Sequence, residues 1–187
     1  MRVLILIEQF ILAGAERMAL VLTRGLIDKG VAVIVSPIKP GGPLKQDFID
    51  ACLKKQDKQS YQADNQMDCK VTCPIASSKY DALAALKLAQ TIKQERIDAI
   101  IIVDVLRNGV FYAALAEVIG RTKPFTICWC HSLPSGQAGA FVGWLKRYFQ
   151  SRLLDTLVCV SNAQQQAIVD AGFDKSRTVL ILSLIHI

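Results

Sequence analysis

The chain has 187 residues, of which 52 % are apolar and 20 % charged, with a net charge of +6 and six cysteines. That length fits one ordinary domain able to bury a real core, and the composition excludes a disordered chain. No apolar run approaches the roughly 18 residues that span a bilayer, and Glu8 and Glu16 interrupt the N-terminal stretch before any signal-peptide cleavage site, so the cytoplasm is the expected compartment.

In chain order, Val3–Ile7 is an apolar run of strand length. Glu8 to Leu12 form a short connection, and Ala13-Gly14-Ala15 leads into an amphipathic helix that opens at Glu16-Arg17 and stops before Gly30, a fitting C′ residue. Val31–Val35 is a second strand. Ser36 to Asp68 holds Pro37, Pro40, Gly41, Gly42 and Pro43. Within it Leu44–Leu53 can form a short helix (Leu44, Phe48, Ile49 and Leu53 share a face), and the remainder reads as a long loop. Cys69–Cys73 is a short strand ending at Pro74. Ser78–Arg96 is a helix on Leu83, Leu86, Ala89, Ile92 and Lys93, capped by Ser77 or Ser78.

Asp98–Val103 is apolar without alternation, as a strand buried on both faces must be. Asn108–Ile119 is a helix closed by Gly120, Pro124–Cys130 a strand, and Ala140–Leu154 a helix with Phe141, Trp144 and Tyr148 on one face. Leu157–Val160 is a strand. Ser161 and Gln164 form a capping box for a helix ending near Gly172, and Val179–Ile181 begins a last strand. Six or seven strands with interleaved helices make a doubly wound, mainly parallel α/β sheet, Rossmann-like in kind.

In such sheets ligands bind beyond the carboxyl ends of the strands. Three segments qualify: Glu8 to Glu16, Asp104 to Asn108, and His131 to Gly136. At Gly14 a ligand oxygen or phosphate can approach the backbone at a helix N-terminus, where N–H groups and the dipole favour negative charge. Glu16 either meets the ligand or complements the first helical turn. His131, with an ordinary pKa near 6.5, suits hydroxyl orientation or proton transfer, and Ser132 is its neighbour. Asp104 and Asn108 either line an acceptor pocket or cap the following helix. Neither Cys69 with Cys73 nor Cys128 with Cys130 has C-x-x-C spacing, and no metal site is expected. The scattered basic residues, with pairs at Lys54-Lys55 and Lys146-Arg147, fit anionic partners such as nucleotide-sugars or acidic lipid headgroups. They lack the aromatic-basic surface of a nucleic-acid module. The basic aromatic segment 140–154 reads either as a sheet-packing helix or as one lying on an anionic membrane.

The opening MRVLILIEQFILAGAERMALVLTRGLIDKG resembles that of glycosyltransferase family 4, with Ala13 in place of the first glycine of a Gly-Gly-Ala-Glu-Arg-like turn. Ile97–Ile101, Cys130-His131-Ser132, Arg152–Ser161 and Gly172–Val179 resemble further family segments in the same order, although Val103-Asp104 stands where a histidine is often found. The resemblance implies the acceptor-side, N-terminal half of a GT-B enzyme over residues 1–181. Such an enzyme is a retaining transferase that moves a sugar from a nucleotide-diphosphosugar to an acceptor hydroxyl with no metal or other cofactor. Gly14, Ala15 and Glu16 would then lie near the donor, His131 near the reaction centre, and Asp104, Asn108 and Ser132 near donor or acceptor. It further implies a glycan or lipid-linked acceptor of the cell envelope and contact with the inner face of the cytoplasmic membrane. Residues 182–187 spell what a common transposon-derived sequencing adapter encodes, so the expectation is a non-native tail, a missing donor-binding domain and little activity from this stretch alone. The alternative is a stand-alone flavodoxin-like binding or regulatory domain. A dinucleotide oxidoreductase is disfavoured because Ala13–Glu16 does not supply G-x-G-x-x-G.

Overall fold

Seven parallel strands run side by side in the order β3-β2-β1-β4-β5-β6-β7. A computed structural model describes residues 1–56, 69–76, 81, 83–103, 107–130, 154–170 and 172–181. The strands are β1 (Arg2–Ile7), β2 (Ala32–Pro37), β3 (Lys70–Val71), β4 (Ala99–Val103), β5 (Phe125–Cys130), β6 (Thr156–Cys159) and β7 (Thr178–Leu180). The helices among the described residues are α1 (Gly14–Asp28), α2 (Lys45–Gln56), α3 (Leu83–Gln94), α4 (Arg107–Gly120) and α5 (Asn162–Asp170), with a 3₁₀ turn at Lys175–Arg177.

The apolar runs are continuous because both faces of the sheet are covered. Successive side chains point to opposite faces. Val3, Ile5 and Ile7 of β1 join Val33 and Val35 in a cluster with Ala19, Leu20 and Ile27 of α1 and Phe48 of α2. Leu4 and Leu6 join Ile34, Ile100 and Ile102 in a second cluster with Leu88 and Ile92 of α3 and Ala113 and Ala116 of α4. Leu4, Ile5, Leu6 and Ile7 are all at 0 % exposure, and each such burial contributes about 1.5–3 kcal/mol.

Helix ends follow a shared pattern. After α1, the Gly30 N–H donates to the Ile27 carbonyl (3.0 Å) and the Val31 N–H to Leu26 (3.0 Å), with Gly30 at φ +83°. Gly172, at φ +93°, closes α5 the same way, and the Gln164 N–H donates to the Ser161 hydroxyl (3.2 Å) at its start. The Gln164 side chain reaches back to the Val160 N–H (2.8 Å), completing the cap.

Three local expectations are corrected. The buried face of α3 is Ala84, Ala85, Leu88, Ala89 and Ile92, while Leu83 and Leu86 are exposed. Small alanines bring α3 close to α4, which the larger leucines would prevent. Within the described residues the α3 cap is Asp81, whose carboxylate accepts from the Leu83 N–H (2.9 Å); Ser77 and Ser78 lie outside them. Gly120 does not supply the left-handed residue after α4. Arg121 does, at φ +50°; a methyl on Gly120 would meet the Ala89 Cβ at an ordinary 3.5 Å and crowd only the Thr122 hydroxyl, at 3.2 Å. The strand expected over Cys69–Cys73 is reduced to Lys70–Val71. The expected helix 140–154 lies outside the described residues apart from Leu154, which is buried.

At the amino edge of the sheet, the Thr126 hydroxyl donates to Glu117 Oε1 (2.9 Å) and the Thr126 N–H to Asp155 Oδ2 (2.8 Å). Burial raises the Glu117 carboxyl above its ordinary 4.5, and the Asp155 charge adds to that. The folded chain therefore holds this proton more tightly than the unfolded chain. The resulting stability is present at and below about pH 4.5 and is lost as pH rises through the higher folded value. Glu117→Gln keeps an acceptor for Thr126 and removes the titration. In urea unfolding, its stability relative to wild type is expected to rise with pH above 4.5 and then level off; a difference that stays flat with pH contradicts this assignment.

Candidate active site

From β1 the chain crosses through α1 to β2 on one side, and from β4 it crosses through α4 to β5 on the other. β1 and β4 are neighbours, with Val3 paired to Ala99 and Leu6 to Ile102. Their crossovers lead to opposite sides of the sheet, which makes β1 and β4 its switch point, and ligands of doubly wound sheets bind in a crevice beyond the carboxyl ends of the strands at such a point. Gly14 stands at its rim as the first residue of α1.

Ala13 is extended (φ −107°, ψ 170°) and its carbonyl accepts from the Arg17 N–H (3.1 Å), but it offers no side-chain cap. Among the described residues a methyl on Gly14 would meet no atom within 4 Å, so none of them demands glycine there. Ala15, half-buried, packs against the cluster that holds Val3, Ile5 and Ile7. Glu16 is buried in the first turn, where the helix dipole favours its carboxylate.

Asn108 is the second residue of α4, which places its backbone on the far side of the crevice. Its side chain and Asp104 lie outside the described residues. His131 and Ser132 also lie outside them. β5, which His131 follows directly in the chain, ends beside β4 on the same edge, with Trp129 paired to Val103. The described residues thus bring the Gly14 turn, the start of α4 and the end of β5 to one edge of the sheet.

Sequence reasoning missed a strap joining the β1–α1 and β2–α2 connections. Glu8 pairs with Lys39, whose N–H also donates to the Glu8 carbonyl (2.8 Å). Gln9 Nε2 donates to the Pro40 carbonyl (2.8 Å), and the Phe10 N–H to Gly41 (3.3 Å). The Gly41-Gly42 pair was the available signal, since paired glycines mark left-handed or crowded backbone. Both are at positive φ.

Of the cysteines, Cys52 and Cys69 are buried in one cluster, and burial first, then the neighbouring Cys69, pushes the Cys52 thiol up to about 11. Cys128 and Cys159 are also buried, as small apolar residues are, and burial raises the Cys159 thiol as well. Among the described residues no helix is long and apolar enough to cross a membrane.

The model of the family described as Glycosyltransferase Family 4 matches residues 12–185. No match was found among curated protein sequences. Among solved structures, HepE from Anabaena in complex with UDP superposes with a TM-score of 0.67 at 18 % identity, covering 97 % of this chain and 44 % of that one. The lipopolysaccharide outer core galactosyltransferase WaaB, in its apo form, gives 0.64 at 12 % identity over 98 % of this chain and 46 % of its own. UDP-N-acetylglucosamine 2-epimerase from Rickettsia bellii gives 0.59 at 11 % identity, covering 98 % and 45 %. The chain therefore spans less than half the length of these structures, and the likeness establishes the fold: the Rossmann-like N-terminal half of a GT-B protein. By the family match over residues 12–185, the chain belongs to glycosyltransferase family 4.

Proposed function

We propose that this chain is the acceptor-side half of a retaining GT-B enzyme. The enzyme transfers a sugar from a nucleotide-diphosphosugar to an acceptor hydroxyl, in envelope polysaccharide or lipopolysaccharide synthesis at the inner face of the cytoplasmic membrane. The observation that carries this reading is the exposed head of α1 at Gly14, beside the switch point between β1 and β4 of a family 4 chain. The solved HepE complexes with UDP and UDP-glucose support a nucleotide-sugar donor, and WaaB supports an envelope acceptor.

As the bond from the anomeric carbon to the diphosphate breaks, negative charge grows on the leaving phosphate. Backbone N–H groups and the dipole at the head of α1 oppose that charge, and they are fixed before the reaction begins. The acceptor hydroxyl forms the new bond and gives up its proton. His131 orients a hydroxyl at the transferred sugar or carries that proton. Asp104, Asn108 and Ser132 line the acceptor side, and Glu16 holds the first turn of α1. Segment 140–154 supplies the membrane contact, and a donor-binding half, as in the longer structures of which this chain covers less than half, completes the site.

The test is release of nucleoside diphosphate by the full-length gene product from a panel of UDP-, GDP- and ADP-sugars with envelope glycolipid acceptors. Turnover of one donor class by the full protein, and little by residues 1–181 alone, is the expected result. A full protein that neither binds nor turns over any of them overturns the reading.

A further inference from the structure

Where the two carboxyl-edge connections meet, at Phe10 and Gly42, there is no room for a side chain. Phe10 is at 1 % exposure, with its ring 5.2 Å from that of Phe48 on α2. Its N–H donates to the Gly41 carbonyl (3.3 Å), and its carbonyl accepts from the Leu44 N–H (3.0 Å). A methyl on Gly42 would stand 2.2 Å from the Phe10 oxygen and 2.4 Å from its carbonyl carbon. Gly42 also has φ +118°, a conformation that side-chain-bearing residues rarely adopt. Glycine is thus required at position 42 by the main chain of Phe10, whereas at position 14 no atom of the described residues requires it.

Phe10 is also the last fixed point before the turn. Ile11 and Leu12, which follow it, are both exposed, and α1 begins at Gly14. The position of the turn in the crevice is therefore set by Phe10 on one side and by the packing of α1 on the other. We propose that the Phe10–Gly42 clasp positions the turn toward the donor, making Gly42 a positioning residue for donor binding. This rests on the reading of Gly14 as facing the donor diphosphate. A backbone N–H loses hydrogen-bond strength steeply with distance and angle, and a loop freed from its anchor must be ordered again at each binding event.

The variant is Gly42→Ala in the full-length gene product, with two readouts. Hydrogen exchange over residues 11–17 needs no ligand. It is expected to quicken, while exchange over β4 stays unchanged. The KM for the donor is expected to rise about tenfold or more, with the acceptor KM held within about twofold. Ile97→Ala, which opens a cavity at the opposite edge of the sheet, is the control: it lowers the melting temperature and leaves the donor KM alone. Should Gly42→Ala fail to fold, Gln9→Ala combined with Lys39→Met removes only the half-exposed side-chain part of the strap. That variant is expected to change both readouts in the same direction by less. Unchanged exchange over 11–17 overturns the clasp. Faster exchange with an unchanged donor KM overturns its link to the donor. A wild type that turns over no nucleotide-sugar overturns the functional reading instead, and exchange then still judges the clasp.

Discussion

Gly14→Ala is expected to make the protein slightly more stable and markedly less active. Alanine is the better residue in a helix, and among the described residues the added methyl meets no atom within 4 Å. The gain is about 0.5 kcal/mol, or a rise in melting temperature of about 1–2 °C. The same methyl stands where the donor diphosphate is proposed to lie. Gly14→Val, with two more carbons in that space, is expected to lower kcat/KM about 100-fold, which is about 2.7 kcal/mol of lost transition-state binding. Thermal melts and steady-state kinetics on both variants read out the two effects together. Glycine kept only for a turn would give a different pattern: lower stability, with activity lost in proportion.

His131→Ala is expected to lower kcat by about 10²–10⁴ while the donor KM changes little, because a group acting on the reacting centre contributes mostly in the transition state. The low-pH limb of the kcat profile, set by an imidazole whose ordinary pKa is near 6.5, is expected to disappear in the same variant. A variant that raises the donor KM without lowering kcat would make His131 a binding residue. Unchanged kinetics and an unchanged pH profile would remove it from the site.

The sheet was legible because its residues leave little choice. Val3–Ile7 and Ala99–Val103 carry no polar face, so each must be covered on both sides, and a parallel sheet between helix layers does that. The stops at Gly30 and Gly172 and the cap at Ser161 and Gln164 were legible because each is a local backbone requirement that a few adjacent residues meet. The face of α3 was not. Periodicity admits both the leucine face and the alanine face, and the choice is made by how closely α4 approaches, near Gly120 and Ala89. Nor were the left-handed residues Arg96 and Arg121, since nothing in an arginine announces positive φ. At the site, the three segments followed from their places directly after apolar strands, while Gly14, expected in the turn before a helix opening at Glu16, is the first residue of α1. The strap escaped because it joins residues of two irregular connections, Glu8–Phe10 and Lys39–Leu44, that share no period.

Whether the head of α1 receives the diphosphate of a nucleotide-sugar is read from a crystal structure of the full-length protein with its donor bound. Diphosphate oxygens are expected within about 3 Å of backbone N–H groups in the first turn of α1. A donor held elsewhere, with the space beside Gly14 filled by protein or left to water, would contradict it.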